Sequence, residues 1–101
     1  MKAAVILVAT LLAAPAFAAD EGQALFRTRC GICHLKNGFG ANILARRVGP
    51  EKSLIEDRTD LTVAYVRLSV RQGIGSMPRF SKVELTDDEL AAIAAYLTRS
   101  R

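Results

Sequence analysis

The sequence predicts a small all-α domain of three main helices joined by long loops. Three segments have apolar residues at helical spacing and capping residues at their ends, and no stretch has the pattern of a β-hairpin. The chain has 101 residues, enough for one small domain. Its composition, 50% hydrophobic and 24% charged, excludes a long disordered tail.

The first eighteen residues are typical of a secretory signal peptide. Lys2 precedes an unbroken apolar run, and the small residues Ala16 and Ala18 satisfy the A-x-A cleavage rule. The apolar run is shorter than the ~18 residues of a membrane span, so an uncleaved anchor is the less favoured alternative. We expect residues 1–18 to direct export and residues 19–101 to form the mature domain, without stable membrane insertion after cleavage.

The first predicted helix begins near Asp20. Asp20 stands three residues before Gln23, which is the spacing of an N-cap and its capping-box partner. Gly22, Phe26 and Cys30 then follow at four-residue intervals. This spacing places the three residues on one face of the helix.

The middle of the chain is predicted to contain an irregular loop followed by a second helix. Residues 37–58 include turn-forming glycines and have no sustained period, so we expect at most a short helical turn near residues 43–47. The second helix begins at Asp60 or Thr62, where Thr62 can act as N-cap. Gly73 is suited to end this helix, because glycine is common just after the last helical residue.

The third helix has the clearest signals. Thr86 and Glu89 have the spacing of a capping box. Apolar residues then recur with the helical period at Leu90, Ile93, Ala94 and Leu97. A C-terminal amphipathic helix is therefore predicted.

The motif that carries chemistry is Cys30-Gly31-Ile32-Cys33-His34, the C-x-x-C-H pattern of c-type haem attachment. Two thiols one helical turn apart can bond to the two vinyl groups at one porphyrin edge, and His34 can then reach the iron. The domain also needs further stabilisation, because a chain of this size buries only roughly 60% of its unfolded surface. A disulfide between Cys30 and Cys33 would close almost no loop. We therefore predict one covalently bound haem c with its iron.

Two other interpretations of this motif are less favoured. A thioredoxin-like redox motif would need a βαβ context that the sequence lacks. A zinc site needs four ligands, whereas the two cysteines and the single histidine provide three. Haem attachment remains the favoured interpretation.

Met77 is the candidate for the second axial ligand of the iron. It lies in residues 73–78, where glycines allow close approach to the haem and Pro78 restricts the backbone. An average methionine more often fills a gap in a core. Ligation is favoured here because a glycine-rich loop is a poor place for a core residue, the chain has no second histidine, and Met1 leaves with the signal peptide.

These features together resemble the class I c-type cytochromes over essentially all of residues 19–101. The resemblance comprises C-x-x-C-H near the mature N-terminus, a Met-Pro loop about forty residues further on, and the C-terminal amphipathic helix. It implies a cytochrome c fold with long loops wrapped around one haem. It also implies that Gly22 and Phe26 of the first helix pack against Tyr96 of the last.

One feature departs from this family. The proline that usually follows the haem histidine by a few residues is missing, and the Gly-Pro pair of this chain is Gly49-Pro50. Metal-bound imidazoles generally donate their second N–H to a neighbouring acceptor. We expect a backbone carbonyl from residues 38–41 or from Gly49-Pro50 to accept this hydrogen bond from His34.

Arg46 and Arg47 are candidates for contacts with the haem propionates, because a guanidinium can bind a carboxylate through two hydrogen bonds. An adjacent arginine pair is more often a solvated surface feature, and this alternative stays open. The 14 basic residues are scattered rather than gathered in a stripe with aromatics. The sequence therefore gives no support for nucleic-acid binding.

The predicted function is that of a periplasmic one-electron carrier, not an enzyme, with His34 and Met77 as axial ligands. The resemblance implies a quinoprotein or flavin dehydrogenase as donor and a terminal oxidase of a respiratory chain as final acceptor. The alternative from another class is a haem enzyme or gas sensor with an open sixth site. A thiol oxidoreductase would instead require Cys30 and Cys33 to remain free or to form a disulfide.

The mature protein is expected to start at Ala19 and to carry one haem on Cys30 and Cys33. Mass spectrometry under denaturing conditions should give the mass of residues 19–101 plus one haem. A mass equal to that of the bare polypeptide would contradict haem attachment, and a mass that includes residues 1–18 would contradict cleavage.

Overall fold

The computed structural model describes residues 1–11 and 19–100, and the second of these ranges forms an all-α domain, as predicted. Residues 1–11 are exposed and lack regular secondary structure, and the predicted cleavage site after Ala18 lies outside the described residues. No helix within the described ranges is long and apolar enough to cross a membrane. The α-helices are α1 (Ala19–Arg29), α2 (Gly31–His34), α3 (Phe39–Val48), α4 (Val63–Gln72) and α5 (Asp87–Leu97), with 3₁₀ turns at Pro50–Lys52 and Ile55–Asp57.

Local side-chain caps explain where α4 and α5 begin. Thr62 Oγ1 accepts a hydrogen bond from Tyr65 N at 3.1 Å. Thr86 and Glu89 form the predicted capping box, with Glu89 N donating to Thr86 Oγ1 at 3.2 Å and Thr86 N donating to Glu89 Oε1 at 3.0 Å. Gly73 ends α4 at φ 72°, a left-handed conformation that favours glycine. These predicted helix ends are confirmed.

Two local predictions from the sequence are wrong. The segment predicted to be irregular contains α3, a helix of ten residues that extends beyond the short turn expected near residues 43–47. The residue before α3 is Gly38, which offers no side-chain cap, so the sequence lacks the usual start signal there. In α1, Asp20 lies within the first turn rather than at the N-cap, because the helix already includes Ala19.

The core is centred where α1 packs against α5. Phe26 is completely buried, and its ring centroid lies 5.8 Å from that of Tyr96. A Cβ added to Gly22 would collide with the carbonyl oxygen of Ala92 and lie 3.0 Å from Tyr96 Cβ, so glycine permits this close approach. The predicted packing of Gly22 and Phe26 against Tyr96 is thus confirmed. The other buried members of this core cluster are Val66, Val70, Leu85, Leu90, Ile93, Ala94 and Leu97.

Replacing Phe26 with Ala should lower the free energy of unfolding by about 3–5 kcal/mol, because the change removes a fully buried ring from the contact between α1 and α5. Phe39→Ala is the matched control. Phe39 is 62% exposed, so the same truncation should cost less than about 1 kcal/mol. Denaturant unfolding of both haem-loaded variants measures the difference, and equal losses would show that Phe26 is not part of the core.

Candidate functional site

The C-x-x-C-H motif forms the junction between α1 and α2. Cys30 N donates to Phe26 O at 2.8 Å, which continues the hydrogen bonding of α1, and His34 N donates to Cys30 O at 3.0 Å, which closes the single turn of α2. Because Cys30 and Cys33 are three residues apart in this helical turn, they lie on the same face of it. Both cysteines are half-buried and are not joined to each other. The local helix therefore places the two cysteines side by side, with His34 directly after the second.

Two glycines allow the start of α3 to pack directly on this motif. A Cβ added to Gly38 would lie 2.5 Å from Cys33 O, and one added to Gly40 would lie 2.9 Å from the same oxygen and 3.4 Å from His34 Cε1. Any larger residue at either position would have to displace backbone atoms of the motif. In the sequence these glycines indicate only a turn. Their packing against Cys33 and His34 could not be read from the sequence.

The His34 imidazole is partly buried, and its Nδ1 is buried without a hydrogen-bond partner in the part of the chain that the structure describes. The expected hydrogen bond to a backbone carbonyl is therefore not formed. One of the predicted acceptors, Gly38 O, instead accepts from Asn42 N at 3.0 Å, because α3 begins there. Burial lowers the pKa of His34 and so favours the neutral ring, the form that coordinates a metal.

The environment of the cysteines gives no support to the two alternative uses of the motif. Burial, together with the neighbouring Cys33, raises the pKa of the Cys30 thiol to about 11. Reactive cysteines of thiol oxidoreductases have lowered pKa values, in contrast to this one. Within residues 1–11 and 19–100, no group of three or more His, Cys, Asp or Glu side chains is placed to hold a metal ion, as a zinc site would require.

Met77 closes a tight turn that begins at Ile74. Ile74 N donates to Met77 O at 3.2 Å, and Met77 N donates to Ile74 O at 2.9 Å. Gly75 has φ 55° within this turn, which is a conformation that favours glycine. The partly buried Met77 packs against the same core cluster that Cys30 contacts. The fold therefore brings Met77 and the first cysteine of the motif to a common core, although they are far apart in the sequence.

The arginines predicted to contact the propionates lie at the C-terminal end of α3. Both Arg46 and Arg47 are exposed. The Arg47 guanidinium reaches the turn that carries Met77, since its Nη1 lies 3.6 Å from the place that a Cβ would occupy on Gly75. The Arg47 side chain thus extends from α3 to this turn.

Arg71 has contacts with the chain after Met77 that were not predicted from the sequence. Its guanidinium donates to Phe80 O, to Leu85 O and to Asp87 Oδ1. A basic residue in the last turn of a helix is common, because it interacts favourably with the helix dipole. The sequence therefore offers no signal that would distinguish Arg71 from an ordinary surface arginine.

Comparison with known proteins identifies the family. A family model described as "Cytochrome C oxidase, cbb3-type, subunit III" matches residues 17–97. A cytochrome c6 of Gloeothece citriformis (strain PCC 7424) is 33% identical over 96 residues, which cover 93% of this chain and 84% of that protein. No solved structure matches. The chain belongs to the class I c-type cytochromes, and it is accordingly an electron-transfer protein rather than an enzyme, with covalently bound haem c and its iron.

The residues of this site fit such a group. The two thiols lie in one turn of helix, burial favours the neutral form of the His34 ring, and its Nδ1 is enclosed by protein. A partly buried thioether is available from the turn at Met77. Two thiols, an imidazole and a thioether make up a donor set that attaches and ligates haem c.

Gly38→Ala should destabilise the haem-loaded protein by about 1–3 kcal/mol, because the new methyl group meets the Cys33 backbone rather than a movable side chain. Gly31→Ala is the control within the same motif. Its new methyl group meets Leu35 Cδ1, the end of a flexible side chain, so stability should stay within about 1 kcal/mol of the wild type. Denaturant unfolding of both proteins tests this, and a neutral effect of Gly38→Ala would show that α3 does not pack on the motif.

Proposed function

We propose that this protein is a periplasmic one-electron carrier in which Cys30 and Cys33 attach the haem and His34 and Met77 are the axial iron ligands. The observation that carries the proposal is the convergence of Cys30 and Met77 on one core cluster. The C-x-x-C-H motif and the turn that carries Met77 are thereby both packed against the core of the domain. When bound, the haem supplies an iron that alternates between Fe(II) and Fe(III) by gaining or losing one electron.

His34 and Met77 have different tasks in this proposal. The enclosed Nδ1 of His34 leaves Nε2 as the nitrogen that coordinates the iron. The Met77 thioether favours Fe(II) more than a second imidazole would, so it raises the reduction potential. By filling the sixth position it also excludes external ligands, which suits a carrier rather than a haem enzyme or gas sensor.

We further propose that Arg47, with Arg46 beside it, binds the haem propionates. The proximity of the Arg47 guanidinium to Gly75 supports this role, since a carboxylate held there would connect α3 to the turn that carries Met77. A guanidinium is suited to this task because it is always charged and can donate two parallel hydrogen bonds.

We also propose a location and redox partners for the carrier. Residues 1–18 have the features of a cleaved signal peptide, which supports export to the periplasm and a mature protein of residues 19–101. Membership of the cytochrome c family supports a redox protein as partner, and we propose a terminal oxidase of a respiratory chain as the electron acceptor. A quinoprotein or flavin dehydrogenase is proposed as the donor.

Met77→Ala should leave the haem covalently attached but allow carbon monoxide to bind to the reduced protein, and it should lower the reduction potential because the thioether is lost. Met77→His should keep carbon monoxide out while also lowering the potential, since imidazole stabilises Fe(III) better than a thioether does. Optical titration with carbon monoxide and redox potentiometry measure both properties.

Met77→Leu separates ligation from packing, because leucine has a similar volume but no sulfur. If Met77 ligates the iron, the Leu variant should bind carbon monoxide as the Ala variant does. Should the Leu variant exclude carbon monoxide and retain the wild-type potential, Met77 would be a core residue and the proposed ligation would be wrong.

A further inference from the structure

We infer that Arg71 is a positioning residue whose guanidinium holds the segment carrying Met77 in the conformation required for iron ligation. This inference rests on the proposed ligation by Met77. We define the Met segment as residues 73–80, which leave the last turn of α4 and return to it. Arg71 does not ligate the iron in this scheme but acts through the backbone that follows Met77.

The contacts of Arg71 link three points of the chain that follows Met77, the last of which is the first residue of α5. Nη1 donates to Phe80 O at 3.1 Å and to Leu85 O at 2.9 Å, while Nη2 donates to Asp87 Oδ1 at 2.8 Å. The side chain is only 22% exposed, and Leu85 is 2% exposed. The two bonds to the carbonyls are partly buried, and such bonds from a charged donor are stronger than those at an open surface, where the contact with Asp87 lies.

Both ends of the Met segment are tied to the same turn of α4. Gly73 N donates to Ser69 O at 2.8 Å, and Phe80 N donates to Val70 O at 2.8 Å. Phe80 is thus held twice, through its N–H by Val70 and through its carbonyl by Arg71. Loss of the Arg71 side chain would release one of these two attachments three residues after Met77.

The geometry requires arginine rather than another cation. Three acceptors on different parts of the chain accept hydrogen bonds from one planar guanidinium, which has five N–H donors. A lysine ammonium is a compact charge that can approach one or two of them but cannot span the set. Lys82 also contacts Asp87, at 3.4 Å, but this exposed ion pair does not involve the carbonyls of Phe80 or Leu85.

The test uses Arg71→Gln and Arg71→Lys with Arg58→Gln as matched control. Arg58 has a side chain of 16% exposure and a two-point contact with Asp60, at 2.8 and 2.9 Å, but none of its contacts involves the Met segment. Each haem-loaded ferric protein is titrated with imidazole at pH 7. The far-red sulfur-to-iron charge-transfer band reports methionine ligation directly, and thermal melts report stability.

Arg71→Gln is expected to bind imidazole at least tenfold more tightly than the wild type, because imidazole displaces the sulfur of Met77 from the iron more easily when the Met segment is loosened. The charge-transfer band of this variant should be weaker for the same reason. Arg71→Lys should lie between Arg71→Gln and the wild type. Arg58→Gln should keep the wild-type band and imidazole affinity even if its melting temperature falls. If Arg71→Gln fails to accumulate, the same comparison is made with Arg71→Lys.

The inference is overturned if the Arg71 variants lose stability as the control does but keep the wild-type band and imidazole affinity, because Arg71 would then be only a structural residue. Failure of the proposed function gives a different result. In that case the wild-type protein itself would lack the charge-transfer band and would bind carbon monoxide when reduced, whatever the Arg71 variants do.

Discussion

The contact between α1 and α5 is the constraint on which the rest of the structure depends. α1 leads without interruption into Cys30, so its orientation determines where the C-x-x-C-H turn lies. α5 follows the chain that returns from Met77, so it anchors the opposite part of the site. The close approach at Gly22 and the paired rings of Phe26 and Tyr96 fix these two helices relative to each other. Because a small domain buries few side chains, most of the stability of its folded state comes from such a central contact.

Polar interactions attach the middle of the chain to this helix pair. Tyr96 donates its hydroxyl to Glu56 Oε2 at 2.8 Å, and burial together with this hydrogen bond raises the pKa of Tyr96. Arg27 Nη2 lies 3.7 Å from the same carboxylate oxygen, and the Arg99 guanidinium lies 4.0 Å from the centre of the Tyr96 ring. The 3₁₀ turn at Ile55–Asp57 is therefore held against α1 and α5, although its own sequence has little periodicity.

The backbone at the candidate site is held in place in two ways. On the histidine side, Gly38 and Gly40 bring α3 into direct contact with the motif, so rigidity comes from close packing. On the methionine side, the segment is a turn stabilised by backbone hydrogen bonds and by the Arg71 guanidinium. If His34 and Met77 ligate the iron as proposed, both kinds of restraint would keep the ligand geometry fixed in the two oxidation states and so reduce the structural change that accompanies electron transfer.

The sequence alone determined the features that depend on residues close together in the chain. The caps of α4 and α5 span four residues each, and the C-x-x-C-H motif spans five, so their local chemistry indicated the all-α class and the cofactor. Only the tertiary structure decided the extent of α3, the lack of a carbonyl partner for His34 Nδ1 and the acceptors of Arg71. These features depend on contacts between separate elements, and such contacts leave no periodic or capping signal in the sequence.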